Sequence, residues 1–129
     1  MTPEQQSNIE KYDSQERCKY LLKEVTRNKE LWLLADEHGC MMLNTQDEDC
    51  VPIWPNEAFA QAWATGEWQN CKPEAISLQI WHNRWTDGLA EDELALVIFP
   101  NQTDEGIILH PDEFDFELKA QAKKTVKAK

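Results

Sequence analysis

From Asp13 the apolar positions recur every three or four residues: Cys18, Leu21, Leu22 and Val25 form one stripe on an otherwise charged segment. That period is the face of a helix, which the spacing predicts to end near Asn28. Asp13 with Glu16, and Thr2 with Pro3 and Gln5, are spaced as capping boxes. Residues 1–12 are therefore either a short helix or a loose segment.

The period then shortens. "ELWLLAD", the turn "EHG", "CMMLN", the polar loop "TQDED" and "CVPIW" read as three short strands in a meander. Pro52 lacks a ladder donor, so the third strand is expected at a sheet edge, or to leave the sheet there. Pro55 suits a first helical turn. Behind it Ala58, Phe59, Ala62 and Trp63 form two rows on one side, and Gly66 ends the helix. After the loop "EWQNCKP", Ser77 caps a helix striped by Leu78, Trp81 and Trp85 and closed by "TDG" at 86–88. "LALVIF" is apolar on both faces and stopped by Pro100, which places it centrally and deeply in the sheet. "NQTDEG" is a turn, "IILH" an antiparallel partner strand, and "PDEFDFELKAQAKK" a closing helix begun by Pro111, with Phe114 and Leu118 facing inward.

Together these elements predict an α+β domain: a single small sheet of about five strands, with four helices packed on one face. Residues 13–118 form the domain, 1–12 an amino-terminal segment, and 119–129 a basic helix end or tail. A chain of 129 residues with six tryptophans closes such a core without disulfides or metal. No apolar run spans a bilayer and "MTPEQQSNIEKYD" is unlike a secretory signal, so a cytoplasmic protein, away from membranes, is expected. Cys18, Cys40, Cys50 and Cys71 show no paired spacing, which suits reduced thiols.

Charge changes the picture more than composition does. Residues 1–30 hold six basic and six acidic side chains, residues 31–118 two and eighteen, and residues 119–129 five and none, within a net charge of −11. So acidic a body repels phosphate backbones and excludes nucleic acid as the expected partner. The lysine-rich tail reads as a solvated helix end whose cations favour the macrodipole.

Reactive constellations are sparse. Cys40 near His38, and Ser77 with His82, are the nucleophile and base candidates, but such pairs arise by chance in a chain with four cysteines and three histidines, and neither sits in a motif. Cysteines and histidines are scattered rather than paired as zinc ligands, and the acidic runs at 47–49 and 90–93 lack the alternation of a calcium loop. Hence no catalytic residue, metal or cofactor is expected. Trp32, Trp63 and Trp81 fall on predicted inward positions, whereas Trp54, Trp68 and Trp85 lie at element ends or in loops. Those three form either an aromatic protein-contact patch, or rings that cap the core with the N–H bonded to a loop carbonyl.

"LWLLADEHG", "VPIWPNEAFAQAWATGEW", "PEAISLQIW", "LALVIFP" and "IILHPDEFDFEL" resemble, in that order, the bacterial domain-of-unknown-function family 2750 over about residues 14–118. "PIWP" with "FAQAWA", and "VIFP" later, are the most specific parts. The layout is also similar to the amino-terminal domain of SseB-like proteins. The resemblance implies a compact α+β fold and brings no activity, cofactor or catalytic residue. The resulting expectation is a protein-binding or regulatory domain without catalysis, steered toward a basic partner, including an antagonist of such a partner. The alternatives are a small-ligand binder or enzyme using a pocket beside the helix at 56–64, and a homo-oligomer joined through a sheet edge near residues 49–54.

Overall fold

The computed structural model describes residues 2–37, 39–40, 42–45, 48–101 and 106–127. Both amino-terminal capping boxes form. Helix α1 (Pro3–Glu10) is capped by Thr2 and Gln5, and α2 (Ser14–Asn28) by Asp13 and Glu16, with Asp13 accepting the Glu16 N–H at 2.8 Å. Lys29 closes α2 in the left-handed region, φ 58°, donating its N–H to the Val25 carbonyl. Leu21, Leu22 and Val25 are buried, as their spacing requires, while Cys18 is half-buried.

Seven strands occur among the described residues, in two small sheets. One has the order β2-β1-β5, from β1 (Glu30–Asp36), β2 (Gly39–Cys40) and β5 (Lys72–Ser77). The other has the order β3-β4-β6-β7, from β3 (Leu43–Thr45), β4 (Glu48–Ile53), β6 (Ala95–Ile98) and β7 (Ile107–Leu109). Reciprocal backbone hydrogen bonds between Trp32 and Trp54, at 3.0 and 2.8 Å, join them. The expected single sheet of about five strands is thus two bridged sheets. The stretch "CMMLN", expected as one strand, overlaps two short ones, β2 and β3, in different sheets, and β5 is a strand that the hydrophobic pattern does not announce.

Strand β4 runs parallel to β6 and antiparallel to β3, so the Pro52 strand is interior, which corrects the edge expectation. The same pairing shows why a proline fits. Trp54 turns its N–H and carbonyl toward β1, while Ile53 turns its carbonyl toward the β6 side and accepts the Phe99 N–H at 2.9 Å. By the two-residue alternation of a strand, the Pro52 nitrogen faces the β1 side. There it lies between the end of β3, paired at Cys50, and the bridge at Trp54. No donor is missed at that gap.

Strand β5, read from sequence as loop, is an edge strand carrying Pro73 and Lys72, with Ile76 its single buried side chain. Edge strands tolerate proline and charge, which hides them from hydrophobic patterning. Strands β6 and β7 are antiparallel and β6 is buried throughout, as expected.

Helix α3 (Glu57–Trp63) packs on β1 and β5 through its buried Phe59 and Ala60. Ser77 caps α4 (Leu78–Ile80), which continues through a π-helical segment, Trp81–Trp85, into α5 (Thr86–Glu91). Gly88 lies inside α5 rather than closing the helix, because Thr86 continues it with both its N–H and its hydroxyl on the Trp81 carbonyl. Helix α6 (Pro111–Lys127) buries Phe114 and Leu118 and extends through most of the lysine-rich end. The main core lies where α2, α3, the π segment and α6 meet one side of the sheets; Cys50, Ala95 and Val97 form a small second cluster.

Candidate functional site

The six tryptophans sort into groups that the sequence order does not suggest. Trp54 is 0 % exposed, and its Nε1–H donates to the Pro100 carbonyl at 3.0 Å. It is a core ring bonded to a loop carbonyl, which removes it from a surface patch. Pro52 lies within β4, two residues before it, and Pro55 leads from it to the Asn56 cap of α3. Its ring lies 5.7 Å from Trp63, which in turn lies 6.3 Å from the half-buried Trp68 on the 3₁₀ turn Gly66–Trp68. Trp85, also half-buried, stacks on Trp81 at 5.6 Å and 12°, and Trp81 meets Phe114 edge-on. Trp68 and Trp85 therefore belong to separate aromatic groups. Trp63, expected inward, is half-buried, and Trp81 is wholly buried.

The nucleophile candidates find other roles. The Ser77 hydroxyl accepts the Ile80 N–H at 3.2 Å as a helix cap. His82 Nδ1 sits 2.5 Å from Asp115 Oδ1, and Asp115 Oδ2 is 3.0 Å from Lys119 Nζ, so the imidazole faces a carboxylate on α6 and not the Ser77 hydroxyl. His38, and the loop at 46–47, lie outside the described residues. Cys18 and Cys71 are free thiols. Burial, helped by Glu117, pushes the Cys18 thiol up, and burial, helped by Asp36, does the same at Cys71. Raised thiols are poor nucleophiles. Among the described residues no group of three His, Cys, Asp or Glu side chains is placed to hold a metal ion.

Two polar features escaped the sequence reading. Arg17 is 1 % exposed on the apolar face of α2, where Nε donates to the Phe99 carbonyl at 2.9 Å and Nη1 to the Tyr12 carbonyl at 2.5 Å. Its position four residues before Leu21 was the available signal. Tyr20 packs its ring near Phe59 and Phe99, and burial together with Glu24 pushes its phenol up to about 12.

The cleft best suited to recognition lies where α5 meets α6. It has a volume of about 300 Å³ and is lined by Ala90, Glu93, Leu94, His110, Pro111 and Asp112. Glu93 is held in the left-handed region, φ 57°, just after α5, and Pro111 opens α6 across from it. Asp87, Glu91, Asp92 and Glu113 are exposed around this corner, and no Lys or Arg occurs between Arg84 and Lys119. Two carboxylates thus stand over a wall of Ala90, Leu94 and Pro111. An ammonium or guanidinium group could lay its methylenes on that wall while its charge meets Glu93 and Asp112.

A family model described as "Protein of unknown function (DUF2750)" matches residues 18–118. No curated protein and no solved structure matches the chain.

Proposed function

Since the chain belongs to the DUF2750 family, described only as of unknown function, we propose from its geometry that it is a cytoplasmic binding domain that captures a basic segment of a partner protein without catalysis. The observation that carries this reading is the α5–α6 cleft, where Glu93 and Asp112 flank an apolar wall inside a carboxylate-rich corner. The rest of the molecule supports it. The acidic body steers a cationic partner over distances up to about a Debye length, roughly 8–10 Å at ordinary salt. The absence of any helix long and apolar enough to cross a membrane among the described residues fits a protein that meets its partner in solution.

The experiment is calorimetric titration with a hexalysine peptide. Binding should weaken with added salt, and Glu93→Gln with Asp112→Asn should reduce affinity at low salt by about tenfold, as expected for close charge pairs. The control removes two charges elsewhere, by Glu4→Gln with Glu74→Gln, and should change affinity far less. Equal losses in both double variants, or no binding at low salt, would overturn the assignment of this cleft.

A further inference from the structure

Helix α6 turns two unlike stripes in opposite directions. Phe114 and Leu118 enter the core. At about 100° per residue, Glu113, Phe116, Ala120 and Lys123 fall away from the core, at steps of three, four and three; Glu113, Phe116 and Lys123 are exposed, and the half-buried Ala120 borders the groove that α6 forms with Lys19 and Leu22 of α2. Phe116 is 70 % exposed, against 45 % and 47 % for Ile80 and Met42, two other exposed large apolar side chains. Such spacing is that of a helix seam that packs against another helix. A lone exposed ring is ordinary. A ring centred on a seam whose charges are segregated is a different matter.

The charges of α6 divide along its length: Asp112, Glu113, Asp115 and Glu117 precede Lys119, Lys123 and Lys124. The helix is therefore complementary to itself when reversed. Two copies laid antiparallel about a twofold axis at position 118 would set Phe116 against Ala120 of the second copy, and Glu113 against Lys123 of the second copy, each contact occurring twice. A small residue faces the large one and each carboxylate faces an ammonium, which is the self-complementarity a twofold interface requires. Glu113 already accepts the His110 N–H at 3.1 Å, which fixes its carboxylate near the helix start.

We propose that the outer face of α6 is a homodimer interface, with a second copy of this chain as its occupant and the seam Glu113, Phe116, Ala120 and Lys123 as its contact. This surface uses neither Glu93 nor Asp112 of the α5–α6 cleft; Glu113 borders both, and the Phe116 variant separates the two proposals. A single helix seam buries less than the roughly 1,200–2,000 Å² of a stable interface, so the dimer forms in a concentration-dependent way.

The test is sedimentation equilibrium of the full chain at about physiological ionic strength, where the Debye length is roughly 8 Å and the repulsion between two acidic bodies is screened. Wild type should show a monomer–dimer equilibrium, and Phe116→Asp, at an exposed position that leaves the circular dichroism spectrum unchanged, should weaken it by at least about tenfold. Glu113→Lys and Lys123→Glu should each weaken it through like-charge contacts. Mixing those two variants should restore association, because in the mixed pair both contacts become attractive. A chain monomeric at every concentration, a dimer indifferent to Phe116→Asp, or a mixture no stronger than either variant alone would overturn the proposal.

Discussion

At the scale of single residues, Arg17 shows how a charged side chain becomes a structural tie. Its guanidinium is inside the fold, joining the Phe99 carbonyl after β6 to the Tyr12 carbonyl between α1 and α2, so the side chain reaches a partner 82 residues along the chain. Phe99 itself sits in the left-handed region, φ 49°, and this bond holds its carbonyl in that turn. Asn101 adds a second tie, donating to the Glu10 carbonyl at 2.7 Å. Replacing Arg17 by Met keeps the apolar stem but leaves both carbonyls without this donor. The expected loss is about 2–4 kcal/mol of unfolding free energy, measured as a lower urea midpoint. An unchanged midpoint would show that these bonds contribute nothing net.

Among the elements, the helix spanning 78–91 combines a capped start, a π segment and a glycine in its final turns. The π segment places Trp81 and Trp85 in parallel stack and leaves His82 against Asp115 on α6. π segments are frequent at functional sites; here the visible consequence is packing. Trp81→Ala should therefore cost about 3–5 kcal/mol, as for a large buried ring, whereas Trp85→Ala, which removes a half-buried ring from the stack, should cost about 1 kcal/mol. Denaturation curves of the two variants with unchanged slope would read the difference directly. Equal costs would mean that the stack, rather than the burial of Trp81, carries the stability.

For the whole molecule, the segregation of charge matters more than its total. Residues 31–118 carry eighteen acidic and two basic side chains, so the folded body concentrates like charge that the unfolded chain spreads out. Salt should therefore stabilise the fold: the melting temperature should rise with sodium chloride through the range where the Debye length falls from about 30 Å to about 3 Å. A melting temperature that falls with salt would place attractive ion pairs, such as those of Asp115, above the repulsion. Stability and partner capture then respond oppositely to salt, because screening relieves self-repulsion while it weakens attraction to a cation.

Local chemistry was legible in the chain wherever it acts over a few residues. The capping boxes at Thr2 and Asp13, the Ser77 cap, the α2 and α6 stripes and the buried β6 strand all rest on short-range spacing, and all stand in the structure. Tertiary structure alone decided what depends on distant partners. Strand β5 is a strand because β1 supplies its hydrogen bonds, and the interior strand β4 tolerates Pro52 because the β3 pairing stops at Cys50. Trp54 is in the core because the Pro100 carbonyl accepts its N–H across 46 residues, and the candidate cleft exists because α5 and α6 meet after β6 and β7 have intervened. Periodicity records which face of an element is apolar; it does not record which other element will cover that face, since that pairing is set by packing and hydrogen bonds between segments remote in sequence.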